Sequence, residues 1–90
     1  MKSFALAAGL LAAASATAAF AKADCKAHPK AEWMKEADAR ARIEAQGYTI
    51  RKFKVDGHCY EIYGKTKDGK KAEIYFDTKT LDVVKSEIEK

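Results

Sequence analysis

The residues of this chain that are best suited to chemistry are two cysteines and two histidines. Cys25 and His28 have a Cys-x-x-His spacing, and His58 and Cys59 are adjacent. Two thiolates and two imidazoles would satisfy tetrahedral zinc, so a metal site of these four residues is one interpretation. Adjacent residues of a strand point to opposite faces, however, which argues against it. The Cys-x-x-Cys spacing and the Cys-x-x-Cys-His haem signature are absent, and the sequence predicts no cofactor.

The same two cysteines have a simpler role if the compartment is oxidising. Cys25 and Cys59 would then form one disulfide, which ties an N-terminal arm to the start of a strand. Closing a loop of about 35 residues contributes about 3–4 kcal/mol in the chain-entropy model. We predict this disulfide, and the metal site and free thiols stay open as alternatives.

No arrangement of residues in the sequence indicates catalysis. It contains no Ser-His-Asp pattern, no glycine-rich phosphate loop and no glycine-flanked serine. Paired carboxylates such as Glu36/Asp38 and Glu87/Glu89 are expected by chance among 13 acidic residues, and they are interpreted as solvated charge. The 17 basic residues leave a net charge of only +4, too mixed to indicate a nucleic-acid binder. The sequence predicts a protein that is not an enzyme.

The first 21 residues indicate export. Lys2 precedes an uncharged, alanine-rich run that ends in Ala19-Phe20-Ala21, which fits an A-x-A cleavage signal. Cleavage after Ala23 is a second option. An uncleaved membrane anchor is the rival interpretation, but few side chains of the run are large enough to favour it. We predict a cleaved signal peptide over residues 1–21, a mature domain over 22–90 without a membrane span, and a periplasmic location.

One helix is predicted in the mature chain. The segment from Lys30 to Gln46 is rich in alanine, glutamate and arginine, and Gly47 suits a helix end. It is either one helix or a short turn that leads into a helix from about Glu36. At 100° per residue, one side of the helix predicted to face a sheet carries Trp33, Ala37, Ala41 and Ala45, with Ile43 at its edge.

Four strands are predicted after this helix. Asp-Gly pairs and the polar run after Asp77 mark the turns between them, and such short connections favour an antiparallel meander in the order 1-2-3-4. The fold class is therefore α+β, with one helix packed on a four-stranded antiparallel sheet. The predicted strands are Tyr48 to Val55, Cys59 to Tyr63, Ala72 to Phe76 and Leu81 to Lys85.

The register of the central hairpin follows from keeping one face apolar. A three-residue loop with Gly69 in the left-handed conformation pairs Thr66 with Lys70 and sets Ile62 opposite Ile74. The first strand changes phase midway, which predicts a β-bulge near Arg51-Lys52.

Aromatic residues are the candidates for binding a partner. Tyr63 and Tyr75 fall on the sheet face opposite Ile62 and Ile74, where they are either ordinary cross-strand packing or a recognition patch. Trp33 is either an anchor of the core or a third binding residue.

Six segments of the chain together carry a family resemblance: ADAR from Ala37, EAQGY from Glu44, KVD from Lys54, CYEIY from Cys59, KDGK from Lys67 and EIYFD from Glu73. With these segments the chain resembles small exported proteins of the PepSY family, over about Cys25 to Val84. The resemblance implies an α+β domain like those in propeptides of secreted metallopeptidases, and a protein partner in the envelope, for example a peptidase that it restrains. The family often continues Asp-Pro-x-Thr-Gly after the third strand, whereas this chain has Asp77-Thr78-Lys79-Thr80-Leu81.

Overall fold

The computed structural model describes residues 23–89, so the predicted signal peptide lies outside the described residues. A 3-10 turn over Lys30–Glu32 precedes one α-helix, α1, over Glu36–Ala45. Four strands follow within the described part and form an antiparallel sheet in the order β1-β2-β3-β4. The predicted α+β fold is confirmed. The strands are β1 (Thr49–Asp56), β2 (Cys59–Lys65), β3 (Lys71–Asp77) and β4 (Val83–Ile88).

The central hairpin has the predicted register. Ile62 faces Ile74 across β2 and β3, and the backbone N–H of Thr66 donates to the carbonyl of Lys70 at 2.8 Å. Gly69 has φ +83°, the left-handed conformation that this three-residue loop requires. Alternation of apolar side chains therefore identified the buried face of the hairpin correctly.

The predicted bulge in β1 is also present. The β1–β2 register shifts between Ile50 and Lys52, which moves Phe53 onto the same face as Ile50. Gly64 lies opposite this irregularity, where a Cβ atom would stand 1.8 Å from the carbonyl oxygen of Thr49. The two backbones therefore approach more closely than any side chain at Gly64 would allow.

The predicted helix face is wrong. Ala37, Ala41 and Ala45 are exposed, whereas Ala39 and Ile43 are fully buried against the sheet. Burial free energy grows with apolar area, so the isoleucine outweighs a stripe of methyl groups and α1 turns Ile43 inward. Buried side chains of α1, of the two inner strands and of the turn before β4 form one core, which contains Ala39, Ile43, Tyr60, Ile62, Ala72, Ile74, Phe76 and Leu81.

The start of the fourth strand also differs from the prediction. β4 begins at Val83, because the carboxylate of Asp77 accepts hydrogen bonds from the N–H groups of Lys79 and Thr80 and closes a turn. Leu81 follows with φ +65° and a side chain that is buried in the core. Leu81 occupies the position at which the family that the chain resembles often has glycine, the residue that adopts a positive φ without strain.

Candidate functional site

The surface most suited to contact is the sheet face opposite α1, here called the outer face. Because strand partners lie directly across from one another, its side chains form two rows that run over all four strands. The first row is Lys54, Glu61, Tyr75 and Lys85, and the second is Lys52, Tyr63, Glu73 and Glu87.

An N-terminal arm, residues 23–35, covers one end of the outer face. Cys25 is bonded to Cys59 with a Cα–Cα distance of 5.4 Å, so the predicted disulfide is confirmed. Both cysteines pack with Tyr75, and Ala23 contacts the same cluster. Strand alternation directs Cys59 to the face opposite Tyr60 and Ile62, and the disulfide accordingly lies on the outer face, away from the main core.

The arm then passes around the end of the sheet toward the core. The backbone N–H of Met34 donates to the carbonyl of Thr78 at 2.8 Å, and the Tyr60 hydroxyl donates to the carbonyl of Met34. Trp33 is half-buried, packs edge-on against Tyr60 and donates its indole N–H to the carbonyl of His28 at 2.8 Å. The contacts of Trp33 are those of an anchor that closes the core.

The metal alternative lacks its ligands. Both sulfur atoms are in the disulfide, His58 is exposed in the turn after β1, and Nε2 of His28 lies 3.0 Å from Oδ2 of Asp77. Burial alone would raise the pKa of Asp77. The N–H groups of Thr80 and Lys79 together with the His28 ring lower that pKa to about 2. Within residues 23–89, no group of three or more His, Cys, Asp or Glu residues could hold a metal ion.

Sequence reasoning missed the most unusual group on the outer face, the carboxyl of Glu61. The residue is only 1% exposed, and its Oε2 has no hydrogen-bond partner among the described residues. Oε1 lies 4.0 Å from Nζ of Lys54, and the carboxyl of Glu73 interacts with that of Glu61. Burial, and then the contact with Glu73, raise the pKa of Glu61 to about 7, against the opposing effects of Tyr63 and Lys54.

Glu73 completes this cluster on the neighbouring strand. The contact with Glu61 lowers the pKa of Glu73, so the shared proton belongs to the more deeply buried Glu61. The Tyr75 hydroxyl donates to Oε2 of Glu73 at 2.7 Å, and burial followed by this hydrogen bond raises the pKa of Tyr75. Glu61 is closed to solvent, whereas Glu73 is only half-buried, so the two carboxyls of the pair differ in their access to the outer face.

The two tyrosines of the predicted patch differ in access. Tyr75 is 8% exposed beneath the arm, whereas Tyr63 is 38% exposed. The ammonium groups of Lys52 and Lys54 lie 6.0 and 5.6 Å from the centre of the Tyr63 ring. Of the three predicted binding residues, only Tyr63 is therefore exposed for contact. Tyr75 is buried beneath the arm, and Trp33 packs against the core.

The architecture and this surface together define a small, disulfide-bonded α+β domain that presents charged and aromatic side chains on one sheet face. A model of the family described as "Peptidase propeptide and YPEB domain" (PepSY_2) matches residues 4–87 of the 90-residue chain. The chain therefore belongs to this PepSY family. Domains of the family are typically propeptide-like or inhibitory modules without catalytic activity.

Comparisons with curated proteins and with solved structures found no match. Within residues 23–89, no helix is long and apolar enough to cross a membrane.

Proposed function

We propose that this chain is an exported, non-enzymatic module that acts by docking onto another protein of the cell envelope, for example a peptidase whose activity it restrains. The observation that carries the proposal is the family match over residues 4–87, which makes the domain propeptide-like. The Cys25–Cys59 disulfide supports an oxidising location such as the periplasm.

Two surfaces of the domain are suited to such docking. The first is the outer face around the exposed ring of Tyr63, because aromatic residues are enriched at interfaces. The second is the free edge of β4, where an extended segment could add to the sheet. Three exposed apolar side chains lie along that edge, namely Val83, Val84 and Ile88.

Photo-crosslinking in the producing cell tests the proposal. A benzophenone amino acid is placed at Tyr63, at Val84 or, as a control, at Ala41 on the exposed side of α1. We expect a discrete crosslinked partner from Tyr63 or Val84 and none from Ala41. The captured partner, if it is a peptidase, should lose activity when the purified domain is added. Intact mass of the uncrosslinked protein should match a chain that begins at Lys22 or Asp24.

The choice between the surfaces follows from two variants. Tyr63→Ala, measured with the probe at Val84, removes the exposed ring, whereas Val83→Pro, measured with the probe at Tyr63, removes the backbone N–H of the first residue of β4. Loss of crosslinking with the proline alone supports edge docking, and loss with the alanine alone supports the outer face. Absence of a partner at both probe positions, with normal folding, would contradict docking through the sheet.

A further inference from the structure

The sheet end that carries the β2–β3 hairpin is strongly basic. The start of β1, the end of β2 and the start of β3 meet there, since Thr49 faces Lys65 and Lys65 faces Lys71. The loop between β2 and β3 adds further lysines to the same end. Six exposed cations result, here called the basic end: Arg51, Lys52, Lys65, Lys67, Lys70 and Lys71.

Four of these cations line a depression of about 680 Å³ at this end of the sheet. This volume lies in the range of sites that hold a small ligand or a short peptide segment. Tyr63 lies in its wall, and an acidic side is supplied by Glu87 of β4 and by Glu89, which directly follows β4. The lining cations are Arg51, Lys52, Lys65 and Lys71.

The uncompensated charge of the depression is positive. Glu87 is already paired with Lys85 at 3.1 Å, which leaves Glu73 and Glu89 as the negative charges that face the four lining cations. By contrast, none of the ion pairs in residues 23–89 involves any of the four lining cations. Lys52 rests over the Tyr63 ring, at 6.0 Å from its centre. A ligand with several carboxylates would therefore meet cations that lack a carboxylate partner.

We infer that this depression binds an acidic, extended segment of the partner protein. The inference rests on the docking role proposed above, and it specifies the chemistry of the docked segment. Carboxylates of the segment pair with Lys65, Lys71 and Arg51, and an apolar or aromatic side chain between them contacts the half-exposed ring of Tyr63. The cations steer the encounter, so binding weakens as salt rises.

Peptide binding to the purified oxidised protein tests this inference without the native partner. The probe is a fluorescein-labelled peptide of alternating glutamate and serine with one central tyrosine, followed by anisotropy at increasing NaCl. A peptide with lysine in place of glutamate reports nonspecific association. The variant is Lys65→Glu/Lys71→Glu. Its matched control is Lys26→Glu/Lys35→Glu, which makes the same change of net charge at exposed lysines of the arm.

We expect the acidic peptide to bind, the lysine peptide not to bind, and Lys65→Glu/Lys71→Glu to weaken binding by about tenfold or more. The control variant should change affinity by about twofold or less. Equal weakening in both variants would mean that net charge, not this depression, is responsible, and would overturn the inference. Absence of peptide binding with capture of phosphatidylglycerol vesicles would overturn it too, in favour of a lipid surface. If the Tyr63 crosslink to the partner survives Lys65→Glu/Lys71→Glu unchanged, this inference fails while the docking role stands.

Discussion

Glu61 is held where its charge is disfavoured, and this makes stability depend on pH. Its pKa is raised from 4.5 to about 7 in the folded chain. Between these two pH values the folded state therefore keeps a proton on Glu61, whereas the unfolded state has lost it. Stability contributed by this group is complete below pH 4.5 and is lost as pH rises through 7. The lowered pKa values of Asp77 and Glu73 act in the opposite sense, but only at lower pH.

The variant Glu61→Gln should remove this pH dependence, because the amide keeps the shape and carries no charge. One pKa unit corresponds to about 1.4 kcal/mol, so the wild type should lose on the order of 2–3 kcal/mol between pH 5 and pH 8 through this residue. Urea unfolding at several pH values measures the difference. Glu44→Gln, at an exposed position of α1, is the control and should follow the wild type. Identical pH profiles for Glu61→Gln and wild type would contradict the account.

The sequence predicted the face of Glu61 but not its burial. Strand alternation places Glu61 with Tyr63 on the outer face, where a glutamate is ordinarily solvated. Its burial depends on side chains of the neighbouring strands, among them Lys54 of β1 and Glu73 of β3, and no local pattern contains these tertiary relations. The available signal was Cys59, because its predicted disulfide indicates that the N-terminal arm covers part of the same sheet face.

At the scale of elements, the two-residue alternation of apolar side chains in the strands predicted the buried face better than the spacing of alanines in α1. The hairpin register and the β1 bulge followed from keeping Ile62, Ile74 and Phe53 on one face. The orientation of α1 did not follow from its alanines, because the three methyl groups of Ala37, Ala41 and Ala45 give a weak preference that one isoleucine, Ile43, reverses. The late start of β4 depended on the hydrogen bonds of one carboxylate, Asp77.

A substitution at Gly64 tests whether the close approach of the β1 and β2 backbones requires glycine. A methyl group there would overlap the carbonyl of Thr49, so Gly64→Ala should lower the free energy of unfolding by about 2–3 kcal/mol or shift the register of β1. Gly69→Ala is the matched comparison, since it meets no atom within 4 Å and is strained only by its positive φ. It should cost about 1 kcal/mol. Thermal and urea unfolding measure both, and equal losses would show that the close approach is not limiting.

For the molecule as a whole, the disulfide is expected to provide a large share of stability. Cys25 and Cys59 are 34 residues apart, and opening that loop should cost about 3–4 kcal/mol. A Cys25→Ser/Cys59→Ser variant should melt well below the oxidised wild type, and reduced wild type should melt like the variant. Unchanged melting on reduction would contradict this prediction, provided that thiol labelling confirms complete reduction.

The path of the arm links the completion of this fold to its chemical surroundings. Cys25 is held against Tyr75 by its bond to Cys59, and the formation of that bond requires an electron acceptor. In a reducing compartment the two cysteines stay thiols, so no covalent bond holds the arm over this end of the outer face. The export proposed above would bring the chain into a compartment where this bond can form, so the arm would be fixed over the sheet only there.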